Sequence, residues 1–256
     1  MRRTISNAIA QPKVFWLTVN RQCNFRCCWC YARDTKFAVE QNMTLHQAQK
    51  IVDLALLFGV KRLILIGGEP TLWEHLFEFN QYCKSKSIVS CLITNACLFG
   101  DDSFFKHYMN SPCDYVSVSI KGINREQFAQ TIQTPHLFGQ TINGIRNVIN
   151  FHKHKATVST VCSNLTSAED LIKIVDVVQD MGAASFMLSL CTATLEGNHV
   201  SDKYMLSFKE LASILPKVYP YIHEKFAGKC VMELSMPLCI WPENFIELLI
   251  KRQQLR

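Results

Sequence analysis

The sequence predicts an α/β fold built on parallel strands, and three observations predict it. Short apolar runs alternate six times with stretches of helical spacing. The segments between runs are long enough to hold a crossover helix, which makes neighbouring strands parallel with right-handed connections. The runs themselves, such as Arg62 to Ile66, are nearly continuous in apolar residues, as expected of strands covered on both faces. Such a chain folds as an open doubly wound sheet or as a barrel. No Gly-rich dinucleotide fingerprint follows any strand, which weighs against a nucleotide-binding open sheet.

Each element has a local reason. Lys13 to Val19 reads as the first strand. Thr44 and Gln47 form a capping box ahead of a helix marked by Ala48, Ile51, Val52 and Ala55, and Gly59 ends it. Arg62 to Ile66 is the second strand, His75 to Lys84 a helix, and Val89 to Thr94 the third strand. Asp102 to Tyr108 is a short helix, Tyr115 to Ile120 the fourth strand, and Gln140 to His152 a helix. Thr157 to Cys162 is the fifth strand. A capping box of Thr166 with Glu169 opens a helix to Met181, stopped by Gly182, and Ser185 to Leu190 is the sixth strand. Ala193 to Lys203 reads as a linker. Phe208 to His223 reads as a helix broken or kinked at Pro216 and Pro220, and Asn244 to Lys251 as a last helix.

Composition narrows the function classes. Of 256 residues 48% are hydrophobic and 19% charged, which excludes intrinsic disorder. The net charge of +6 suits an acidic partner or peptide, and nothing in the pattern asks for nucleic acid. The start, Met1 to Asn7, is basic but lacks the apolar core of a signal peptide, and Leu54 to Val60 is far shorter than the ~20 residues of a membrane span. A cytoplasmic location is expected, where the 12 cysteines stay reduced and mostly serve as small buried hydrophobes.

One segment departs from that use. Cys23, Cys27 and Cys30, just past the first strand, stand as C-x3-C-x2-C. Three thiolates on one loop can hold three irons of a 4Fe–4S cubane and leave the fourth open. An open metal position is a reactive one. A structural zinc site wants four ligands in two pairs, and no second C-x2-C exists here. A ferredoxin-like carrier wants a fourth cysteine and tighter spacing. Cys28 reads as packing.

This segment resembles the cluster loop of the radical S-adenosylmethionine (SAM) superfamily, and Trp29 is the aromatic that usually precedes the third ligand. Gly67-Gly68-Glu69-Pro70, after the second strand, is similar to that family's GGEP motif, which binds the amino group of SAM. Glycines let a backbone approach a ligand closely, and a carboxylate nearby suits an ammonium. Asn95 in Thr94-Asn95, Ser119 in Ser119-Ile120-Lys121-Gly122, and Asn164 match weaker family features across roughly residues 13 to 190. Many peptide-acting members carry an arginine after the fourth strand that pairs with the SAM carboxylate. Gln133 stands at that place here, and Lys121 is the substitute point charge. Glu233 to Cys239 resembles the lead into a SPASM or twitch extension with auxiliary clusters.

The resemblance implies a partial (β/α)6 TIM-like barrel with C-terminal helices: a core over residues 1–195 and a helical segment over 196–256. It implies a 4Fe–4S cluster and SAM as cofactors and a flavodoxin or ferredoxin as electron donor. Reductive cleavage of SAM would then give a 5′-deoxyadenosyl radical that abstracts hydrogen from a substrate. A peptide, as in maturation of ribosomal peptides, is the leading substrate class. A sugar, nucleoside or amino acid, or a protein given a glycyl radical, are alternatives. An iron–sulfur or zinc binding module is the non-enzyme alternative. Cys97, Cys162 and Cys191 lie near strand ends and are candidate hydrogen donors. Ser119, Ser159 and Ser189 are expected to give the inner wall hydroxyl groups. Cys230 and Cys239 read as buried thiols, His152-Lys153-His154 as an exposed helix end, and Phe104, Phe105 and Phe138 as core.

Overall fold

The structure, a computed structural model, describes residues 13–30, 41–196, 199–227, 229–232 and 238–251. Seven strands form one sheet: β1 (Val14–Thr18), β2 (Arg62–Ile66), β3 (Val89–Thr94), β4 (Tyr115–Ser119), β5 (Ala156–Cys162), β6 (Ser185–Leu190) and, after a small hairpin of β7 (Thr194–Glu196) and β8 (His199–Ser201), β9 (Cys230–Met232). Their order in space is their order in the chain, and every pair is parallel. Crossovers are made by α1 (Leu45–Leu57), α2 (Leu76–Ser85), α3 (Asp102–Asn110), α4 (Arg125–Thr131), α5 (Phe138–His152), α6 (Ala168–Asp180) and α7 (Phe208–Lys225), and α8 (Glu243–Lys251) follows. The sheet is not closed, because β1 and β9 stand at its two ends. This is the partial TIM-like α/β barrel, with a seventh parallel strand added to the six expected.

Alternation along each strand divides the sheet into two faces. Leu63, Leu65, Leu92, Val118, Val158 and Phe186 are buried in one core with helix residues such as Ala48, Val52, Ile145 and Val175. The inner face carries the alternate residues. It is apolar on the early strands, where Trp16 pairs with Ile64, and hydroxylated on the later ones, where Ser117 pairs with Thr157 and Ser119 with Ser159. No helix among the described residues is long and apolar enough to cross a membrane.

Several expectations are corrected. The Ala193–Lys203 linker contains the β7–β8 antiparallel hairpin. The helix cap before α6 is Ser167 with Asp170, one residue later than Thr166 with Glu169, because both frames offer a hydroxyl followed by a carboxylate. Pro216 and Pro220 do not interrupt α7, whose Leu211, Leu215, Val218 and Ile222 are buried in the core. His152 is buried rather than exposed, its Nε2 3.0 Å from the Tyr108 hydroxyl. Cys239 is exposed rather than buried. Met1 to Asn7 and Glu233 to Pro237 lie outside the described residues.

Candidate active site

The parallel ladder of β1 and β2 continues beyond both strands and lays two loops side by side. Val19 N–H donates to Ile66 O at 3.0 Å, Gly68 N–H to Asn20 O at 2.9 Å, and Glu69 N–H to Gln22 O at 2.7 Å. The loop holding Cys23, Cys27 and Cys30 is thereby fastened to Gly67-Gly68-Glu69. A Cβ on Gly68 would sit 2.3 Å from Arg21 O, and one on Gly67 would sit 2.1 Å from the Asn20 side-chain oxygen. Both glycines are required by this close approach, whatever ligand follows.

The other side of the cysteine loop is held by the end of α4. Cys27 and Ile132 form an antiparallel bridge, Cys28 N–H donates to Thr131 O at 3.0 Å, and Gln133 N–H donates to Arg26 O at 3.4 Å. Phe25 plugs the loop into a small core with Cys97, Phe128 and Ile132, its ring edge-on to Phe128 at 5.6 Å. Gln133 thus meets the loop through its backbone, and its side chain is exposed. Cys28 is buried, as its packing role requires.

Burial pushes the Cys23 thiol up to about 12, although the Phe25 N–H points at its sulfur from 3.4 Å. Burial also raises Cys27, opposed by the nearby Lys121 ammonium. Lys121 Nζ lies 5.8 Å from the centre of the Trp29 ring, so these two residues flank Cys27 together. Asn95 Nδ2 donates to Asn24 Oδ1 at 2.7 Å and stands 4.0 Å from the Cys23 sulfur. Ser119 and Ser159 hydroxyls lie 3.2 Å apart on the inner wall, below these loops. Asn164 lies away from this group: it donates to Lys203 O at 2.8 Å.

Glu69 is not the free carboxylate that its motif suggested. Oε1 accepts from Thr71 N–H at 3.1 Å, Thr71 hydroxyl at 2.7 Å and Thr94 hydroxyl at 2.6 Å, and Oε2 accepts from Asn95 N–H at 2.7 Å. The side chain is buried, and burial raises its pKa against those four donors. Its carbonyl accepts from Asn20 Nδ2 at 2.9 Å. Glu69 therefore ties the loops after β1, β2 and β3 together, through its side chain as well as its backbone. The sequence did not single out Asn20, Phe25, Thr71, Phe128 or Ile132, whose partners lie far along the chain; only the placement of Asn20 just before the cysteines pointed to it.

Three free cysteines on one loop are the type of donor an iron–sulfur cluster takes. No three His, Cys, Asp or Glu side chains among the described residues are placed to hold one metal ion. A cubane asks for something else, one thiolate per iron, spread over a loop. Burial holds Cys23 and Cys27 in the protonated thiol form, so a bound cation would have to displace those protons.

An open parallel α/β barrel with a three-cysteine loop at the strand C-terminal ends defines a class of metal-cluster enzyme scaffold. The sequence pattern of the Radical SAM superfamily matches residues 17–175, and the chain belongs to that superfamily. Membership implies SAM and an iron–sulfur cluster as cofactors. Among curated proteins the chain is similar to the Fe-coproporphyrin III synthase of Methanosarcina barkeri, at 28% identity over 54% of this chain and 34% of that protein. It is similar to the AdoMet-dependent heme synthase of the same organism, at 25% over 75% of this chain and 54% of that protein. The probable GTP 3′,8-cyclase of Thermococcus kodakarensis is 23% identical over 60% of this chain and 49% of that protein. The chain thus spans about half or less of these relatives. Among solved structures, Streptococcus suis SuiB bound to S-adenosylmethionine superposes with a TM-score of 0.74 at 18% identity, covering 91% of this chain and 53% of that chain. anSMEcpe with bound AdoMet and Kp18Cys peptide gives 0.65 at 18% identity, covering 86% and 63%. At such identities the likeness is one of fold.

Proposed function

We propose that the chain is the catalytic core of a radical SAM enzyme that modifies a peptide. The observation that carries the enzymatic part is the fastening of three thiols to the Gly67–Gly68 backbone by a continued parallel ladder. Cys23, Cys27 and Cys30 would hold the cluster, and the Gly67–Gly68 backbone, Asn95 and Ser119 would surround the SAM. When bound, these groups supply one-electron cleavage of SAM and hydrogen-atom abstraction. The chain's own part is to bind, orient and exclude water. Lys121 brings a positive charge to a place without an arginine and attracts a carboxylate; Trp29 steadies it. Glu69 fixes the loop geometry, and the Ser119–Ser159 pair offers hydroxyls to a polar ligand. Residues 1–195 form the proposed core, and the part after it adds α7, the edge strand β9 paired to β6, and α8.

The peptide reading is supported by fold neighbours solved with peptides, SuiB with precursor peptide SuiA and anSMEcpe with Kp18Cys, and by the unclosed sheet. The curated relatives favour a second reading, a small molecule, since their names specify tetrapyrroles and GTP. Anaerobic reconstitution with iron and sulfide tests the core claim. The protein is expected to take up a cubane and, with dithionite, to turn SAM into 5′-deoxyadenosine, whereas Cys27→Ala does neither. A Cys27→Ala protein that still makes 5′-deoxyadenosine would sink the assignment.

A further inference from the structure

The strand N-terminal edge of the sheet, opposite the cysteine loop, has a charge pattern that the reaction does not use. Strands of five or six residues put it roughly 16–20 Å from that loop. Lys61 and Arg62 stand at the start of β2, Lys84 shortly before β3, Lys153 and Lys155 before β5, and Lys229 before β9, all exposed. Among the described residues the ion pairs of lysines are Lys86 with Asp53 and Lys225 with Asp176, so none of these six cations has an acidic partner.

The pattern is built rather than scattered. Arg62 and Lys155 both sit over the Tyr115 ring, 5.5 and 5.8 Å from its centre, so one aromatic gathers two like charges. Lys153 is held at φ 51°, a left-handed conformation that a lysine rarely adopts, and it turns the Lys153-His154-Lys155 segment outward. Beneath these side chains lies a cavity of about 410 Å³ lined by Asn80, Ser90, His152 and the three lysines 84, 153 and 155. A second cavity of about 330 Å³ shares Asn80, Lys84 and Pro112 with it, so the two make one trough. The acid at this place, Asp114, is turned to the Ser90 N–H at 2.8 Å.

We propose that this trough docks an extended acidic segment of a partner polypeptide, with its carboxylates against Lys84, Lys153 and Lys155. The cations are lysines apart from Arg62, and lysine ammoniums meet carboxylates as point charges without needing one fixed geometry, as suits an extended chain whose acidic side chains vary in position. The Tyr115 ring is already occupied by two cations, which removes a platform for a nucleic-acid base. The site is recessed and polar, unlike a face that inserts apolar side chains into a membrane. The proposal stands whether or not the reaction assigned to the opposite end is right.

Fluorescence anisotropy of labelled decaglutamate with the full chain tests it. Binding is expected at low salt and is expected to weaken as salt rises. The double variant Lys153→Ala with Lys155→Ala should bind about tenfold more weakly while keeping the parent's circular dichroism spectrum, as two surface charges facing a polyanion are lost. The control Lys209→Ala with Lys217→Ala removes equal charge from α7 and should bind like the parent. Absence of binding, or equal loss in the control, overturns the proposal. So does tighter binding of oligothymidylate or of phosphatidylserine vesicles through the same lysines.

Discussion

Lys121 is the residue whose role is easiest to isolate. It lies beside Trp29 and close enough to Cys27 to oppose the rise of that thiol. Gln133, at the place where an arginine was sought, points its side chain to solvent, so a bidentate charge pair is missing there. Lys121→Ala is therefore predicted to weaken SAM binding to the reconstituted protein about tenfold, the scale of one partly buried charge contact. Lys121→Arg should keep most of it. Titration of the cluster's spectrum with SAM measures both, and unchanged affinity in the alanine variant removes Lys121 from the site. Glu69 teaches the complementary lesson. Its motif was legible, yet its use was not, because its donors Thr71, Thr94 and Asn95 come together only in the fold.

Element by element, legibility follows length and apolar continuity. β2, β3 and β6 were read to the residue because each is an unbroken run between turn signals. β9 has three residues, too few to show a period, and α4 has seven, which hide between the fourth strand and α5. His152 was misread although its signal was present: it follows Val148 and Ile149 by four and three residues, on the buried stripe of α5. In α7 the error ran the other way. Proline weighed as a breaker, but the buried face of Leu215, Val218 and Ile222 holds the helix together across it. Pro216 gives no N–H to Ala212 O, and an interior proline costs a helix about 3 kcal/mol. Pro216→Ala is predicted to raise unfolding stability by about 1–2 kcal/mol, read from the urea midpoint, since part of that strain is already relaxed. A lowered midpoint would show that packing depends on the proline's own shape.

At the scale of the molecule, the barrel floor sets a pH limit on stability. Burial, aided by the Lys155 charge, lowers His152 from its ordinary 6.5 to about 4. The folded value is the lower one, so between those pH values the unfolded chain takes a proton that the folded chain refuses. Stability is thus full above pH 6.5 and is lost as pH falls toward 4, by up to about 3 kcal/mol. Urea midpoints from pH 7 to 4.5 should show this fall in the parent and a shallower one in His152→Gln. Parallel curves would place the acid sensitivity elsewhere. The sheet's unpaired ends have a separate effect. Among the described residues β1 and β9 each keep one edge unpaired, so the wall is an arc rather than a ring, and the backbone amides at those two edges should exchange with solvent sooner than those of β3 and β4.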